Sequence, residues 1–205
     1  MGRTSDANLR LMDAALELIW EESYGAVTID DICTRADVRK GSFYYFYKSK
    51  ADLAVAALDR MWNESWKPTL DGIFSPAADP VARFSAYFAW VYKSQAALKQ
   101  KLGKVLGCPL CSVGSEVSTQ EPGVSAKVRE IFSRKLRYYE SAVRDAIAAK
   151  QIEACDPAKK ASAIAGLIEG VVAQARIMND PEVIQSLAGQ GMTLLGVKSL
   201  AQASA

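Results

Sequence analysis

The sequence contains no histidine. Histidine is the commonest general base and the commonest metal ligand, so His-based nucleophile triads, HExxH zinc sites and C2H2 fingers are excluded together. An apolar, charge-free run of about 18 residues, long enough to span a membrane, is also missing, and the N-terminal MGRTSDANLR lacks the apolar core of a secretory signal. Strand-like alternation of useful length is absent too. Four cysteines in 205 residues do not suggest a disulfide framework, and the expected location is the cytoplasm. What is present is a chain that is 50% hydrophobic and 23% charged, long enough for one or two domains with a sizeable core.

The net charge of +2 is small, but it is unevenly placed. Between residues 35 and 50, Arg35, Arg39, Lys40, Lys48 and Lys50 stand against Asp37 alone. That basic stretch coincides with TIDDICTRADVRKGSFYYFYKSK, residues 28–50, which reads as two short helices joined by a turn. Thr28 and Asp31 have the spacing of a helix N-cap and an acid in the first turn. Ile29, Ile32 and Cys33 share a face, and Ala36-Asp37-Val38 forms the turn. The second helix offers Arg39, Lys40, Ser42, Tyr44 and Lys48 as polar groups, while Phe43 and Tyr47 are spaced to pack inward. A basic, aromatic helix after a tight turn is the build of a helix-turn-helix that reads duplex DNA.

Helical periodicity continues on both sides. Residues 6–22 place Leu9, Met12, Ala15, Leu16 and Ile19 on one face, and Gly25 is expected to close that helix in the left-handed conformation. Ser49, with Asp52 three residues on, caps a fourth helix running to about residue 70. Pro68, Gly72, Ser75, Pro76, Asp79 and Pro80 then punctuate a linker. Residues 80–101 carry the aromatic cluster Phe84, Tyr87, Phe88, Trp90 and Tyr92, which spreads over more than one face and serves either as core or as the lining of a ligand pocket, with Phe132 and Tyr139 as further candidates. Residues 103–122 read as irregular. Long helices follow over 124–151 and 157–178, the second opened by Asp156-Pro157. A last helix carries Val183, Ile184 and Leu187, with Met192 and Leu195 as candidate continuations, and GQGMTLLG reads as a fraying tail, since no strand precedes it to make a phosphate loop. The helix over 157–178 is apolar on several sides. It is either buried in its own core or part of a dimer seam with the final helix, for which Ala165, Ile168, Val172, Ile184 and Leu187 are the candidates.

The stretch VTIDDICTRADVRKGSFYYFYKSKADL resembles the DNA-reading head of the TetR family of transcriptional regulators. In that family a capped helix, a turn, a K-G-[ST]-aromatic-Y-Y recognition helix and a K-[ST]-K entry to the fourth helix recur. The resemblance covers roughly residues 8 to 60. It implies an all-α protein of about nine helices, with a helix-turn-helix DNA-binding domain over 1–50 and a ligand-binding and dimerisation bundle over 51–205. The implied function is that of a homodimeric repressor of palindromic operator DNA, released by a small-molecule or electrophilic inducer, with no cofactor, no catalytic or metal residue and no membrane partner. Carried over by position, Thr28, Tyr44 and Lys50 would meet phosphates, with Lys48 beside them. Arg39, Lys40, Gly41, Ser42 and Tyr45 would lie in or beside the major groove, Arg39 reading a base and Gly41 letting the backbone approach. Asp37 stands where the family usually has glycine, and Phe46 where it often has histidine. The alternative from another class is a small helical enzyme or carrier using the aromatic pocket around Phe84–Trp90.

A second, shorter segment, Gly107-Cys108-Pro109-Leu110-Cys111 continuing to Glu116, is similar to a G-C…E segment of the NemR-like and AcuR-like branch. In the NemR-like members a cysteine of this region is the sensor. Cys108 and Cys111 form a CxxC, but the strand of a thioredoxin-like site is missing. A zinc site would have to recruit Cys33, Cys155 or carboxylates from elsewhere. Thiol sensing by Cys108 and Cys111 and a structural role for Cys108 as a small buried hydrophobe both stay open. Cys33 and Cys155 read as structural.

Overall fold

A computed structural model describes residues 2–117 and 119–197; the last eight residues of the expected 51–205 domain lie outside this range. The regular elements among the described residues are helices, and their one β-type pairing is an isolated bridge between Ile152 and Val197. The chain divides into two compact units, Met1–Lys67 with Pro109–Phe132, and Pro68–Cys108 with everything from Ser133 onward.

The first unit opens with α1 (Gly2–Glu21), which buries Leu11, Ala14, Ala15, Leu18 and Ile19 at helical spacing. Next come α2 (Ile29–Ala36) and α3 (Lys40–Phe46). The Thr28 hydroxyl accepts from the Asp31 amide at 3.2 Å while the Asp31 carboxylate accepts from the Thr28 amide at 2.9 Å, a reciprocal capping box. Asp37 ends α2 at φ 50°, in the left-handed region, and its amide satisfies the carbonyls of Cys33 and Thr34. Because aspartate is strained there relative to glycine, Asp37→Gly should stabilise the head by about 1 kcal/mol, seen as a raised melting temperature. Phe43 is the fully buried anchor of α3.

Ser49 caps α4 (Lys50–Met61) by accepting from the Asp52 amide at 3.1 Å. The expected linker begins later than the prolines suggest. The helix runs on through a π turn, Trp62–Trp66, and Pro68 into α5 (Lys67–Ile73). A π turn loosens the backbone just before the residue that cannot donate, which lets the helix pass a proline instead of stopping at it. The 103–122 region is not wholly irregular either, since α7 (Pro109–Val117) lies within it and buries Leu110, Val113 and Val117. Gly114 is a packing residue, because a Cβ there would lie 2.9 Å from Val128 Cγ1.

The second unit holds α6 (Pro80–Leu102), capped by Asp79, α9 (Pro157–Met178), capped by Asp156, and α10 (Ser186–Leu195). The helix α8 (Pro122–Ala148) supplies its first turns to the first unit and the rest to the second. Arg83, almost fully buried, donates to Asp145 at 2.5 Å and to the carbonyls of Pro76 and Ala78, pinning the turn before α6 to α8. The expected fraying tail is instead most of α10. Gly191 is needed there because a Cβ would overlap the Phe88 ring. The 22-residue α9 has the length and mean apolarity of a membrane span, but Lys159, Lys160, Glu169 and Arg176 interrupt it, so it holds no charge-free run of about 18 residues, and it turns Ile164, Ala165, Ile168, Val171, Val172 and Ala175 into the core of the unit.

Candidate nucleic-acid interface and effector site

The capping box fixes where α2 starts, and Asp37 fixes the turn, so α3 is presented with a defined outer face. On that face Tyr44 is 54% and Tyr45 75% exposed, large aromatic groups that the chain itself leaves uncovered. Arg39, at the N-cap of α3, and Lys48 are exposed as well, and Ser42 is half-buried. A Cβ on Gly41 would meet nothing within 4 Å, so no neighbour inside the chain demands a glycine at this place. Lys40 is paired: its ammonium lies 2.7 and 2.9 Å from the two carboxylate oxygens of Asp30. Lys50, carried over as a phosphate contact, is turned inward. Its ammonium donates to the carbonyls of Tyr24 and Val27 at 2.7 and 2.8 Å and sits 4.3 Å from the centre of the Tyr24 ring. Burial lowers its pKa below the ordinary lysine value. Lys50→Met should therefore cost the head about 1–3 kcal/mol in a thermal melt by stranding two carbonyls, while the salt dependence of DNA binding stays as in the wild type.

In the second unit, Phe74, Phe84, Tyr87 and Tyr139 form one aromatic cluster, with Phe74 at 5.7 Å from Phe84 and 5.6 Å from Tyr139, and Tyr87 at 5.3 Å from Tyr139. Phe88 lies 6.3 Å from Phe84, and Trp90, half-buried, stacks on Tyr87 at 5.6 Å. Phe132, included with them on sequence grounds, belongs to the first unit. Inside this apolar cluster sits a charged pair that periodicity does not reveal: Lys135, almost fully buried, donates to Glu169 at 2.5 Å. Its ammonium is 6.0 Å from the Tyr87 ring centre and 5.9 Å from that of Tyr139, within cation–π range. Burial disfavours the ammonium, but the Glu169 carboxylate beside it favours the charged form, and the Lys135 pKa is held above the usual range. Burial likewise raises the two phenols. The Tyr139 hydroxyl is close enough to Tyr87 to feel it, yet forms no well-directed hydrogen bond and is left as a buried polar atom without a partner.

The Cys108 sulfur lies within 4.8 Å of a carboxylate oxygen of Glu169, the partner of Lys135. The placement of Cys108 explains the glycine before it. Gly107 has φ 76°, and the Gln95 side chain grips it at both groups, donating to the Gly107 carbonyl at 3.0 Å and accepting from its amide at 2.9 Å. Cys108 and Cys111 are half-buried thiols, Cys33 is buried and Cys155 exposed.

Two family models match. Residues 11–57 match the model of bacterial regulatory proteins of the tetR family, and residues 81–189, more than half the chain, match the tetracyclin repressor-like C-terminal domain. The chain belongs to the TetR family. It is a transcriptional regulator with a DNA-binding helix-turn-helix, as the resemblance implied, and the family and its relatives are regulators and not enzymes, which sets aside the enzyme or carrier reading. It is 26% identical to an HTH-type transcriptional regulator in the lacX 3' region of Lactococcus lactis subsp. lactis, over 86% of this chain and 87% of that one. It is also 26% identical to the transcriptional regulator AcuR of Cereibacter sphaeroides, over 88% and 81%. A crystal structure of a regulatory protein TetR from Rhodobacter sphaeroides superimposes with a TM-score of 0.80 at 26% identity, covering 93% of this chain and 97% of that one.

The residues expected at a dimer seam need correction. Ala165, Ile168, Val172, Ile184 and Leu187 are each no more than 4% exposed within a single TetR-family chain and form its own core. The opposite side of α9 carries Ala163, Gly166, Gly170, Ala173 and Ile177 at the surface. A Cβ at Gly166, Gly170 or, on α10, Gly189 would meet nothing within 4 Å. Leu167, Ser186, Gly189, Gln190, Thr193 and Leu194 line a shallow groove between these helices.

Proposed function

We propose that this TetR-family regulator is a cytoplasmic, homodimeric repressor whose two heads grip a palindromic operator and let go when a small inducer or thiol-reactive compound acts on the second unit. The reading head is assigned to 1–50 and the inducer and dimer functions to the remainder. The observation that carries the reading is the uncovered face of α3, where Arg39, Tyr44 and Tyr45 project and Gly41 is bare. Arg39 is the base reader, Thr28, Tyr44 and Lys48 meet phosphates, and Ser42 and Tyr45 lie beside the groove. Lys40 reaches DNA by leaving Asp30.

Two-fold pairing follows from the need to place two recognition helices in major grooves one turn apart or a multiple of it. The outer face of α9 with α10 is suited to it, since small residues let two helices approach closely and Ile177, 80% exposed, supplies apolar area. For the inducer, the aromatic cluster around Lys135 and Glu169 combines an apolar enclosure with a few convergent polar groups, including the unpartnered Tyr139 hydroxyl.

The test uses a duplex enriched by the wild-type chain from a random pool. Its affinity, followed by fluorescence anisotropy, is expected to fall by about 10³-fold or more between 50 and 200 mM salt, because several phosphate contacts release counterions. A salt-indifferent affinity, or Tyr44→Ala binding as well as wild type, would overturn the assignment. Cys108→Ser should abolish release of that duplex by N-ethylmaleimide; undiminished release removes Cys108 from the mechanism.

A further inference from the structure

The corner between α1 and α2 is gripped from two sides. Glu116, on α7, accepts the amide of Tyr24 on one carboxylate oxygen at 2.8 Å and the amide of Gly25 on the other at 2.6 Å. Lys50, in the first turn of α4, takes the carbonyls of Tyr24 and Val27. The peptide groups of one corner thus have their donors on a carboxylate and their acceptors on an ammonium, charge-assisted bonds at both ends. Gly25 is adapted to this and not to a left-handed turn, since it is not among the glycines of positive φ. A Cβ at Gly25 would lie 2.9 Å from Glu116 Oε1, so the side chain missing at residue 25 is what admits the carboxylate ninety-one residues later in the chain. The corner leads directly into Thr28, the cap that sets the start of α2 and through it the pose of α3.

We infer that Glu116 is a positioning residue for operator binding: α7 holds the reading head in its DNA-competent pose through the paired amides of Tyr24 and Gly25. The residue touches no DNA. It acts on the entry to α2, and any displacement of α7 is passed to the head through two hydrogen bonds. The inference rests on the DNA-binding reading, and its test separates the two.

The experiment is a double-mutant cycle read as affinity for the enriched duplex, at a temperature where every variant is folded by circular dichroism. Glu116→Ala is expected to weaken binding about tenfold. Gly25→Ala should weaken it similarly in the wild-type background, because the new methyl expels the carboxylate. In the Glu116→Ala background the same methyl should cost nothing, as there is no carboxylate left to expel. A Gly25→Ala penalty that persists without Glu116, or a Glu116→Ala chain that binds like wild type, overturns the inference. Should Gly25→Ala fail to fold, Glu116→Gln decides. One carbonyl oxygen then serves two amides, exchange at Tyr24 and Gly25 accelerates, and affinity falls; faster exchange at unchanged affinity overturns the inference. Failure of the wild type to enrich any duplex is a different result, and it strikes the DNA-binding reading itself.

Discussion

Glu169→Ala will destabilise the second unit by about 3–5 kcal/mol, because it strips the counter-charge from an enclosed lysine. With only 4% of the Lys135 side chain exposed, water cannot take over the role of the carboxylate. The measurement is the urea midpoint at pH 7, compared with a second variant in which Lys135→Met and Glu169→Leu are combined. Replacing both charges removes the desolvation cost together with the attraction, so the double variant should match the wild type or exceed it by about 1–4 kcal/mol. That second variant also separates stability from response. If the pair is the polar group that an inducer engages, a chain with both charges removed stays folded, binds the duplex and no longer releases it.

Arg39→Ala will cost about 1–3 kcal/mol of operator binding, or roughly 5- to 150-fold, and the loss will be concentrated at one base pair of each half-site. A bidentate guanidinium on a guanine discriminates against other bases, so its removal flattens the preference at that position while leaving the rest of the site intact. Lys48→Ala is the contrasting case. A phosphate contact carries no sequence information, so its loss should weaken all duplexes alike and reduce the salt slope by about one. Enrichment from a random pool with each variant displays both effects: a degenerate column for Arg39→Ala and an unchanged logo for Lys48→Ala. An Arg39→Ala logo identical to the wild type would move base reading to another residue of α3.

Much of this was legible in the residues because helices announce themselves locally. The Thr28–Asp31 and Ser49–Asp52 spacings, Pro after Asp156, and the apolar stripe of α1 each depend on neighbours within one or two turns, and each element is where they place it. What was missed depends on distant partners or on small residues with two meanings. Lys135 follows an ordinary helical stretch, and its partner Glu169 is thirty-four residues away. Lys50 carries the same charge whether it faces phosphate or two carbonyls. Gly114 fell in a stretch read as irregular and Gly191 in one read as a fraying tail, although their work is to let Val128 and Phe88 approach. In α9 both faces are apolar, so periodicity does not choose between them. Ile168 and Val172 went to the chain's own core and left Gly166, Gly170 and Ala173 outside.

The first unit is interrupted, since its opening 67 residues are separated from Pro109–Phe132 by a long stretch that belongs to the other unit. During synthesis the reading helices leave the ribosome well before α7 exists, so the nascent head lacks Glu116 and the close packing of Gly114 on Val128. Completing it requires closure of a loop that must itself begin to fold, an ordering cost that local helix formation does not carry. The same arrangement limits modular exchange. A head cut out at the end of α4 and transplanted onto another family member would arrive with its corner amides unclaimed, whereas a graft carrying residues 109–132 as well would bring its own carboxylate.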